Sequence, residues 1–318
     1  MGYKYSQIDK SNLGWFPKDA TRQTLLTIQI QEGEIRGLRN LQINFKYPIT
    51  AIAGKNKSGK STILALAACA FHNDSKSFKQ EERKQAYFTF SDFFIQTDEE
   101  IPPEGMKISY KFLHNNWKKS PTFPDGIGEG WQNRYKKNGG KWNKYKGRVK
   151  RNVLYFGVNR VVPHIEKSTS RSYRKTFVLE KEAVWIAEVK ERVSRILNCK
   201  YENFSYKAYS KYRLPIVAQN KITYSGFNMG AGENALFELF STIYACPEGS
   251  LILIDEIELG LHAEAQERLI DELKKTCLER KSQIICTTHS PIILECLPPE
   301  GRILIEKTKS TTNILTRA

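Results

Sequence analysis

The chain has 318 residues, of which 40% are hydrophobic, enough to form a buried core in one large globular domain. Its 50 lysines and arginines against 34 aspartates and glutamates give a formal charge of +16. This excess favours polyanionic partners, nucleic acid above all, although a charge that serves only solubility and attraction of nucleotides fits it equally well.

The sequence argues against a membrane protein or a secreted one. Its longest apolar run, residues 63–71, is far shorter than the roughly 20 residues of a membrane span, and the polar N-terminus has no apolar signal region. The six cysteines show no paired short spacing, so we expect reduced core residues. These features predict a cytoplasmic protein without membrane partners.

The first predicted elements are strands that lead into a glycine-rich loop. Residues 24–31 and, less strictly, residues 38–45 alternate apolar and polar side chains, which predicts two strands of an antiparallel sheet. The apolar residues 49–53 predict a buried strand, and residues 62–71 predict an apolar helix. Residues 54–61 between them have the phosphate-loop pattern, and this strand-loop-helix context disfavours a chance match.

This loop is the predicted nucleotide site. Its main-chain N–H groups and the helix N-terminus would converge on the phosphates, Lys60 would reach the outer phosphates, and the Ser61 hydroxyl would bind Mg²⁺. The predicted phosphate-binding residues are Gly54, Lys55, Asn56, Lys57, Ser58, Gly59, Lys60, Ser61 and Thr62.

A basic and aromatic stretch at residues 115–151 follows a predicted strand at residues 107–113. Exposed rings here would stack on bases while the cations follow a phosphate backbone. The alternative is an insertion whose aromatic rings pack on the domain and whose lysines are solvated. We favour packing for the individual rings and nucleic-acid binding for the stretch as a whole. Its members include Trp117, Phe123, Trp131, Arg134, Tyr135, Lys136, Lys137, Lys141, Trp142, Lys144, Tyr145, Lys146, Arg148, Lys150 and Arg151.

Three segments follow this stretch. Residues 153–158 predict an apolar strand, and the basic residues at 160–175, which include Arg160, Lys167 and Arg171, are interpreted as a solvated surface. Residues 181–198 predict an amphipathic helix. We predict no coiled coil, because the sustained heptad repeat that it requires is missing from the sequence.

The last third of the chain carries a second group of polar residues at predicted strand ends. Asp255 and Glu256 follow the continuous apolar run 251–254, and His289 follows the apolar strand 283–286. We predict that Asp255 holds Mg²⁺ and that Glu256 polarises the attacking water, because such acids are costly beside buried residues unless they have a role. His289 is a candidate γ-phosphate contact, although a histidine in this position is more often a turn residue.

These motifs occur in one order: the phosphate loop, Met229-Gly230-Ala231-Gly232-Glu233 opening a helix, Leu-Ile-Leu-Ile-Asp-Glu, Glu-Leu-Gly-Leu-His and Thr-His-Ser-Pro. In this order they resemble the ABC-type ATPases of the SMC, RecF and OLD group, over residues 24–306. The most similar members are compact ATPase subunits of prokaryotic anti-phage defence systems of the Septu or PARIS type.

The resemblance implies an α/β fold: a P-loop NTPase head with a mixed sheet, an antiparallel β subdomain and an inserted helical subdomain. We expect one ATPase domain over residues 1–318. It divides into residues 1–61 with the N-terminal strands and P-loop, a lobe at 62–225, the signature, Walker B and switch region at 226–306, and a tail at 307–318.

The resemblance also implies a head-to-head homodimer, or a higher homo-oligomer, with ATP and Mg²⁺ between subunits. Residues 229–233 match the signature motif, which would contact the γ-phosphate held by the opposite subunit. Residues 258–262 match the D-loop, His289 the switch histidine, and Ser91 with Asp92 a weak Q-loop candidate. Lys57 replaces a usual loop glycine, which predicts either a strained turn or an extra cation in contact with phosphate. Gly230 replaces a usual signature serine, which predicts slow hydrolysis.

The sequence therefore predicts a slow ATPase that dimerises on ATP and regulates a separate effector, a nuclease or toxin, in anti-phage defence, with DNA as a further partner. One alternative is an ATP-gated scaffold that sequesters a toxin with incidental hydrolysis. Another is a RecF-like DNA-repair clamp. A transporter subunit is disfavoured, because the chain has no Leu-Ser-Gly-Gly-Gln signature.

Overall fold

The computed structural model describes residues 2–81, 83–137, 140–143, 147–166, 172–210, 212–307 and 312–316. Part of the predicted tail lies outside these residues. So do some residues of the two predicted basic segments, namely Lys144, Tyr145 and Lys146 of the stretch 115–151 and Lys167 and Arg171 of the segment 160–175. Within the described residues, no helix is both long and apolar enough to span a bilayer.

The described part of the chain contains both strands and helices. The strands are β1 (Thr24–Glu32), β2 (Leu41–Asn44), β3 (Ile49–Gly54), β4 (Met106–His114), β5 (Gly128–Lys136), β6 (Val153–Phe156), β7 (Val178–Leu179), β8 (Asn203–Tyr209), β9 (Tyr212–Gln219), β10 (Ile222–Ser225), β11 (Leu251–Ile254), β12 (Gln283–Thr287), β13 (Arg302–Lys307) and β14 (Thr312–Thr316). The helices are α1 (Gln7–Trp15), α2 (Lys60–Ala68), α3 (Phe90–Phe93), α4 (Ile186–Leu197), α5 (Ala231–Ala245), α6 (Ala263–Arg280) and α7 (Pro291–Glu295).

The central sheet has the strand order β14-β13-β3-β12-β11-β6 within the described residues. All neighbours in it are parallel except β14, which pairs antiparallel with β13 at one edge. Parallel strands are covered on both faces, which explains why β11 and β12 are buried throughout their length. The mixed sheet that the motifs predicted is confirmed.

Two antiparallel sheets accompany the central one in the described part of the chain. The first has the order β2-β1-β4-β5, and the second has the order β10-β9-β8-β7. The first includes the predicted strand at 24–31, now β1, while the prediction at 38–45 shortens to β2 because residues 35–38 form a tight turn before it.

Apolar side chains fill two layers, one on each face of the central sheet. Leu251 and Leu253 of β11 join the layer beneath α2 and the first antiparallel sheet. Ile252 and Ile254 join the layer that α4, α5 and α6 cover. Because successive residues of a strand point to opposite faces, one four-residue run anchors both layers. This burial fixes where β11 ends and hence where the acids that follow it lie.

Candidate nucleotide-binding site

The candidate site lies at the carboxyl edge of the central sheet. β6, β11, β12 and β3 run parallel in adjacent positions, so the segments that follow them meet at one edge. These segments contain Arg160, Asp255, His289 and the predicted phosphate loop. The topology therefore brings together residues that lie up to 235 positions apart.

The phosphate loop has the backbone that its glycines permit. Gly54 and Gly59 adopt φ of 151° and 100°, and a Cβ at either position would lie within 2.6 Å of Ile305 O or the Leu38 side chain. Lys57 also adopts a positive φ, 64°. A non-glycine residue there costs of order 1 kcal/mol, which agrees with the strain expected from its replacement of glycine.

Lys60 is the second residue of the loop's glycine-lysine-serine end and lies at the start of α2. Its Nζ donates to the carbonyls of Gly54 and Lys55, at 2.8 and 3.1 Å, so the side chain folds back over the loop. Burial lowers the pKa of this ammonium, and the carboxylates of Glu256, Asp255 and Glu258 oppose that shift. The lysine is thus held over the loop by main-chain carbonyls, within the electrostatic influence of three acids.

The other loop residues divide by exposure. The side chains of Lys55, Asn56 and Lys57 are exposed, while Thr62 is buried on α2. The Ser58 hydroxyl is buried and has no hydrogen-bond partner among the described residues. A buried hydroxyl within a ring of main-chain N–H groups is a donor suited to a phosphate oxygen.

Ser61 and Asp255 come into direct contact. The Ser61 hydroxyl donates to Asp255 Oδ1 at 3.1 Å, and the Thr287 hydroxyl donates to the same oxygen at 2.6 Å. A hydroxyl and a carboxylate are hard oxygen donors of the kind that Mg²⁺ prefers when phosphates supply its other ligands. The donor set therefore fits Mg²⁺, although the described residues contain no cluster of three or more acidic, histidine or cysteine side chains.

Glu256 has an unusual backbone, with φ of 48°. Its main-chain N–H donates to the Thr287 hydroxyl oxygen at 2.7 Å. The guanidinium of Arg160 donates to the carbonyls of Asp255 and Glu256, both at 2.6 Å. Conformations of this kind persist only where their surroundings fix them, and these three bonds fix the peptide that carries both acids.

The sequence interpretation of Arg160 was wrong. We expected a solvated side chain, but only 6% of it is exposed. Burial lowers the pKa of its guanidinium, and nearby carboxylates, Asp255 first, oppose that shift. The available signal was its position four residues after the apolar strand β6, the neighbour of β11, at the edge where all these strands end.

The signature segment opens α5, with Gly230 as its N-cap. Gly232 packs against Gly260 of the following turn so closely that a Cβ on Gly232 would lie 2.1 Å from Gly260 O. The Glu233 carboxylate accepts bonds from the hydroxyls of Tyr201 and Tyr224, at 2.6 and 2.7 Å. Its side chain is thus held within its own chain, against the sheet of β8 and β10.

The remaining signature and switch residues differ in exposure. Met229 is buried, Ala231 is partly exposed, and a Cβ added to Gly230 would meet no atom within 4 Å. His289 is exposed, and its main-chain N–H donates to Glu258 at 2.6 Å. By contrast, Asp92, half of the Q-loop candidate, bonds Thr89 and pairs with Arg83 at the start of α3. Its contacts are those of a helix cap.

Much of the basic aromatic stretch is structural. Arg134, Arg148 and Arg151 are at most 5% exposed and donate to main-chain carbonyls, including those of Ala70, Cys69 and Gly249. Trp142 stacks on Phe90 with ring centroids 3.8 Å apart, and Trp117 stacks on Phe123. The prediction of a phosphate-tracking role was therefore wrong for these arginines, because their guanidinium groups are buried and donate to main-chain carbonyls instead.

The fold and this site define an α/β P-loop domain whose architecture is similar to that of SMC heads. Two SMC head structures align over 92% of this chain: one bound to the C-winged helix domain of ScpA, with a TM-score of 0.56 and 16% identity, and one from Thermotoga maritima, with 0.51 and 16%. They are covered over 97% and 98% of their own lengths. A third, bound to the C-terminal domain of ScpA derived from Pyrococcus furiosus, has a TM-score of 0.52 and 13% identity over 92% of this chain and 96% of its own.

A family model described as "AAA domain, putative AbiEii toxin, Type IV TA system" matches residues 49–295. The chain belongs to this AAA-domain family. The search of curated proteins found no match.

Proposed function

We propose that this chain is a single-domain ATPase that binds ATP with Mg²⁺, dimerises head to head on ATP, hydrolyses it slowly and thereby controls a separate effector protein. Lys60 and the loop N–H groups bind the β- and γ-phosphates, and Ser61 and Asp255 hold the metal. Mg²⁺, when bound, neutralises charge that develops on the phosphate oxygens.

The chain's own residues supply the remaining chemistry. Glu256 orients and polarises the attacking water, and His289 contacts the γ-phosphate from the end of β12. Met229 to Glu233 of one subunit meet the nucleotide of the other through the N-terminus of α5, where helix N–H groups favour an anion. Because the Glu233 carboxylate is already bonded by two tyrosines, this residue contributes through its main-chain N–H.

One observation carries the proposal: the 3.1 Å hydrogen bond between Ser61 and Asp255, which lie 194 residues apart. It joins the phosphate loop to the end of the strand that bears the candidate base. Phosphoryl transfer requires positioning and charge stabilisation rather than covalent help, and this contact supplies the positioning.

The test uses three proteins: wild type, Lys60→Ala and Glu256→Gln. We expect Lys60→Ala to lose ATP binding by about 100-fold or more, because it removes the ammonium that faces the phosphates. Glu256→Gln should bind ATP normally, lose phosphate release by roughly 100-fold and accumulate as an ATP-dependent dimer in size-exclusion chromatography. Unchanged turnover in Glu256→Gln, together with normal ATP binding by Lys60→Ala, would show that the assigned roles are wrong.

The proposed effector role is supported by the description of the family and by the SMC head structures. The family description names a toxin of a toxin–antitoxin system, and two of the SMC heads are in complex with a domain of another protein. We infer that the present chain likewise acts through a partner, a nuclease or toxin of an anti-phage system in the cytoplasm. ATP binding without turnover, with release of the partner on a trigger, would favour the scaffold alternative.

A second candidate function is nucleic-acid binding on the open face of the first antiparallel sheet. Trp131 is 47% exposed there, opposite Lys111, and Tyr135 pairs with Lys107 across β4 and β5. An exposed tryptophan with a half-buried tyrosine and lysines nearby suits stacking on bases, although Lys107 and Lys111 already pair with Glu32 and Glu129. If duplex DNA binds, log affinity should fall with log salt at a slope of about 0.9 per phosphate contacted, and Trp131→Ala should weaken it.

A further inference from the structure

The turn after the two acids, residues 256–262, carries a third carboxylate, Glu258. Its Oε2 accepts the Thr288 hydroxyl at 2.7 Å, and its Oε1 accepts the main-chain N–H of His289 at 2.6 Å. Thr288 is fully buried, so its bond to Glu258 is partly sheltered from water, whereas the bond from His289 lies at the exposed sheet edge. Both oxygens of one side chain are thus bonded to two successive residues of the loop that follows β12.

The contact continues into a short network. The Thr288 hydroxyl also accepts the N–H of Ser290 at 3.0 Å, and the Ser290 hydroxyl donates to Gln266 at 2.6 Å. Gln266 in turn donates to the carbonyl of Leu261 at 2.8 Å. The loop at 288–290 is therefore attached to the 256–262 turn at two points, directly through Glu258 and through the first turn of α6.

These bonds leave the histidine's main chain fixed and its side chain free to act. The His289 side chain is exposed at the sheet edge, while its N–H is held by a charged acceptor. Hydrogen bonds to a charged group are about twice as strong as neutral ones, and the direction of a side chain follows from its backbone. Glu258 therefore restrains the backbone from which the imidazole projects.

We propose that Glu258 is a positioning residue that holds the loop of His289 so that the imidazole reaches the γ-phosphate. This inference rests on the proposed ATPase function. Glu258 does not itself act as a base, because both of its oxygens are already engaged by donors of the loop. It links the segment that carries Asp255 and Glu256 to the segment that carries the histidine.

The first test measures the contact without reference to activity. Hydrogen exchange of the 284–296 segment is compared in wild type, Glu258→Gln and the control Glu264→Gln, whose side chain is 75% exposed and pairs with Arg268 on the surface of α6. Glu258→Gln replaces the charged acceptor of the His289 N–H by a neutral amide, so exchange at His289 should speed up by about tenfold. Exchange in the Glu264→Gln control should match wild type. The β1 segment should exchange equally in all three proteins, which would show that the fold is intact.

If Glu258→Gln does not fold, a pair at Thr288 repeats the test. Thr288→Val removes the donor to Glu258 with little change of volume, and Thr288→Ser keeps the hydroxyl. We expect faster exchange at 284–296 in the valine variant and exchange close to wild type in the serine variant. Equal exchange in wild type, Glu258→Gln and Thr288→Val would overturn the proposal.

The second test separates positioning from independent catalysis. In Glu258→Gln the kcat for ATP should fall roughly 10- to 100-fold with little change in KM, because misplacing a catalytic group by about 1 Å has this effect. In a His289→Ala background, Glu258→Gln should cause no further loss. If the two losses multiply, Glu258 does not act through His289 and the proposal is wrong. Absence of turnover in wild type contradicts the ATPase function, whereas the exchange experiment still decides whether Glu258 holds the loop.

Discussion

The signature helix and the turn that follows the acids approach each other closely at Gly232 and Gly260. A Cβ on Gly260 would lie 2.9 Å from both the N and the Cα of Gly232, and Gly260 also requires φ of 79°. Neither position tolerates a side chain without moving main chain. The contact therefore depends on two residues for which the motif patterns gave no individual reason.

We expect Gly232→Ala to lower the free energy of unfolding by about 1–3 kcal/mol, because the added methyl overlaps Gly260 O. Gly230→Ser is the matched control, since a Cβ there meets nothing within 4 Å and serine is a preferred helix N-cap. It should leave stability unchanged or raise it by only about 0.3 kcal/mol. Urea unfolding of the two variants measures the difference, and equal stability would contradict it.

Sequence patterns predicted which residues lie at the candidate site better than they predicted individual contacts. The positions of Lys60, Ser61, Asp255 and Glu256 could be predicted because a spacing pattern and a buried strand specify them, while their chemical roles stay predictions. Arg160 could not, because its role comes from two carbonyls that lie 95 and 96 residues further on. Whether a given arginine faces solvent or caps a buried chain end depends on tertiary contacts that no local pattern records.

The helix α1 docks through a buried ion pair. Asp9 is fully buried, and it contacts Lys274 of α6 at 2.9 Å and accepts the hydroxyls of Tyr47 and Tyr3, each at 2.9 Å. Burial alone would raise the pKa of this carboxyl, but hydrogen bonds from Ser6 and Lys274 outweigh it and lower the pKa to about 2.

This pairing predicts an acid-sensitive stability. The pKa of Asp9 is lower in the folded chain than its ordinary value of 3.8, so its contribution of about 2 kcal/mol is complete above about pH 5 and declines as the pH falls towards 2. By pH 3 about 1 kcal/mol should be lost. Urea unfolding of wild type and Asp9→Asn measures this: the gap between the two should narrow from pH 5 to pH 3. Asp74→Asn, at a side chain that is 63% exposed, is the control, and a constant gap for Asp9→Asn would refute the prediction.

Arg148 closes the C-terminal end of α2. Its Nη1 donates to the carbonyls of Cys69, Phe71 and Phe88, at 2.9, 3.3 and 3.0 Å. The last carbonyls of a helix have no partner within it, and a buried cation that meets them satisfies an otherwise costly group.

We expect Arg148→Ala to destabilise the protein by roughly 2–5 kcal/mol, since it leaves buried carbonyls without this donor and creates a cavity. The neighbouring Lys150→Ala should cost less than about 1 kcal/mol, because Lys150 is 60% exposed and pairs only with the exposed Asp74 among the described contacts. Thermal or urea unfolding distinguishes them. Similar small losses in both variants would mean that the basic stretch is solvated after all.

Element boundaries followed from sequence where an alternating or continuous apolar run marks a strand, and they failed where packing against other elements sets the boundary. The alternation at 24–31 predicted β1, and the apolar run at 251–254 matches β11 residue for residue. The helix expected over 181–198 begins only at Ile186, because residues 181–183 have no regular secondary structure and the turn at 184–185 precedes it. Propensity cannot place such a start, since the packing of α4 against α5 and α6 selects it.

The six cysteines are free in the described structure, as their spacing predicted. Cys69, Cys246, Cys277 and Cys286 are buried, and burial raises the pKa of each thiol. Burial also raises the pKa of the less buried Cys296 to about 11.

These pKa directions predict slow thiol chemistry in the native protein. At pH 8 a thiol with a pKa near 11 is only about one part in 1,000 thiolate, and the thiolate is the reactive form. A thiol reagent should therefore label the native chain slowly and all six positions rapidly in denaturant. Fast labelling of the four buried cysteines without denaturant would show that the core opens readily.

At the level of the whole chain, the order of motifs was sufficient to predict the α/β head, and the SMC head structures confirm that fold. What order cannot supply is which side chains between the motifs face outward. The basic stretch shows this: its charge was visible in the sequence, but three of its arginines are buried. Whether an arginine is buried or exposed depends on carbonyl partners that lie far away in the sequence.

The paired glycines have a consequence for how related chains can vary. A side chain at position 232 requires the 256–262 turn to lie further from α5. A turn in that position no longer needs the left-handed backbone of Gly260. Substitutions at the two positions should therefore appear together across homologous sequences, and a homologue that keeps one glycine should keep the other.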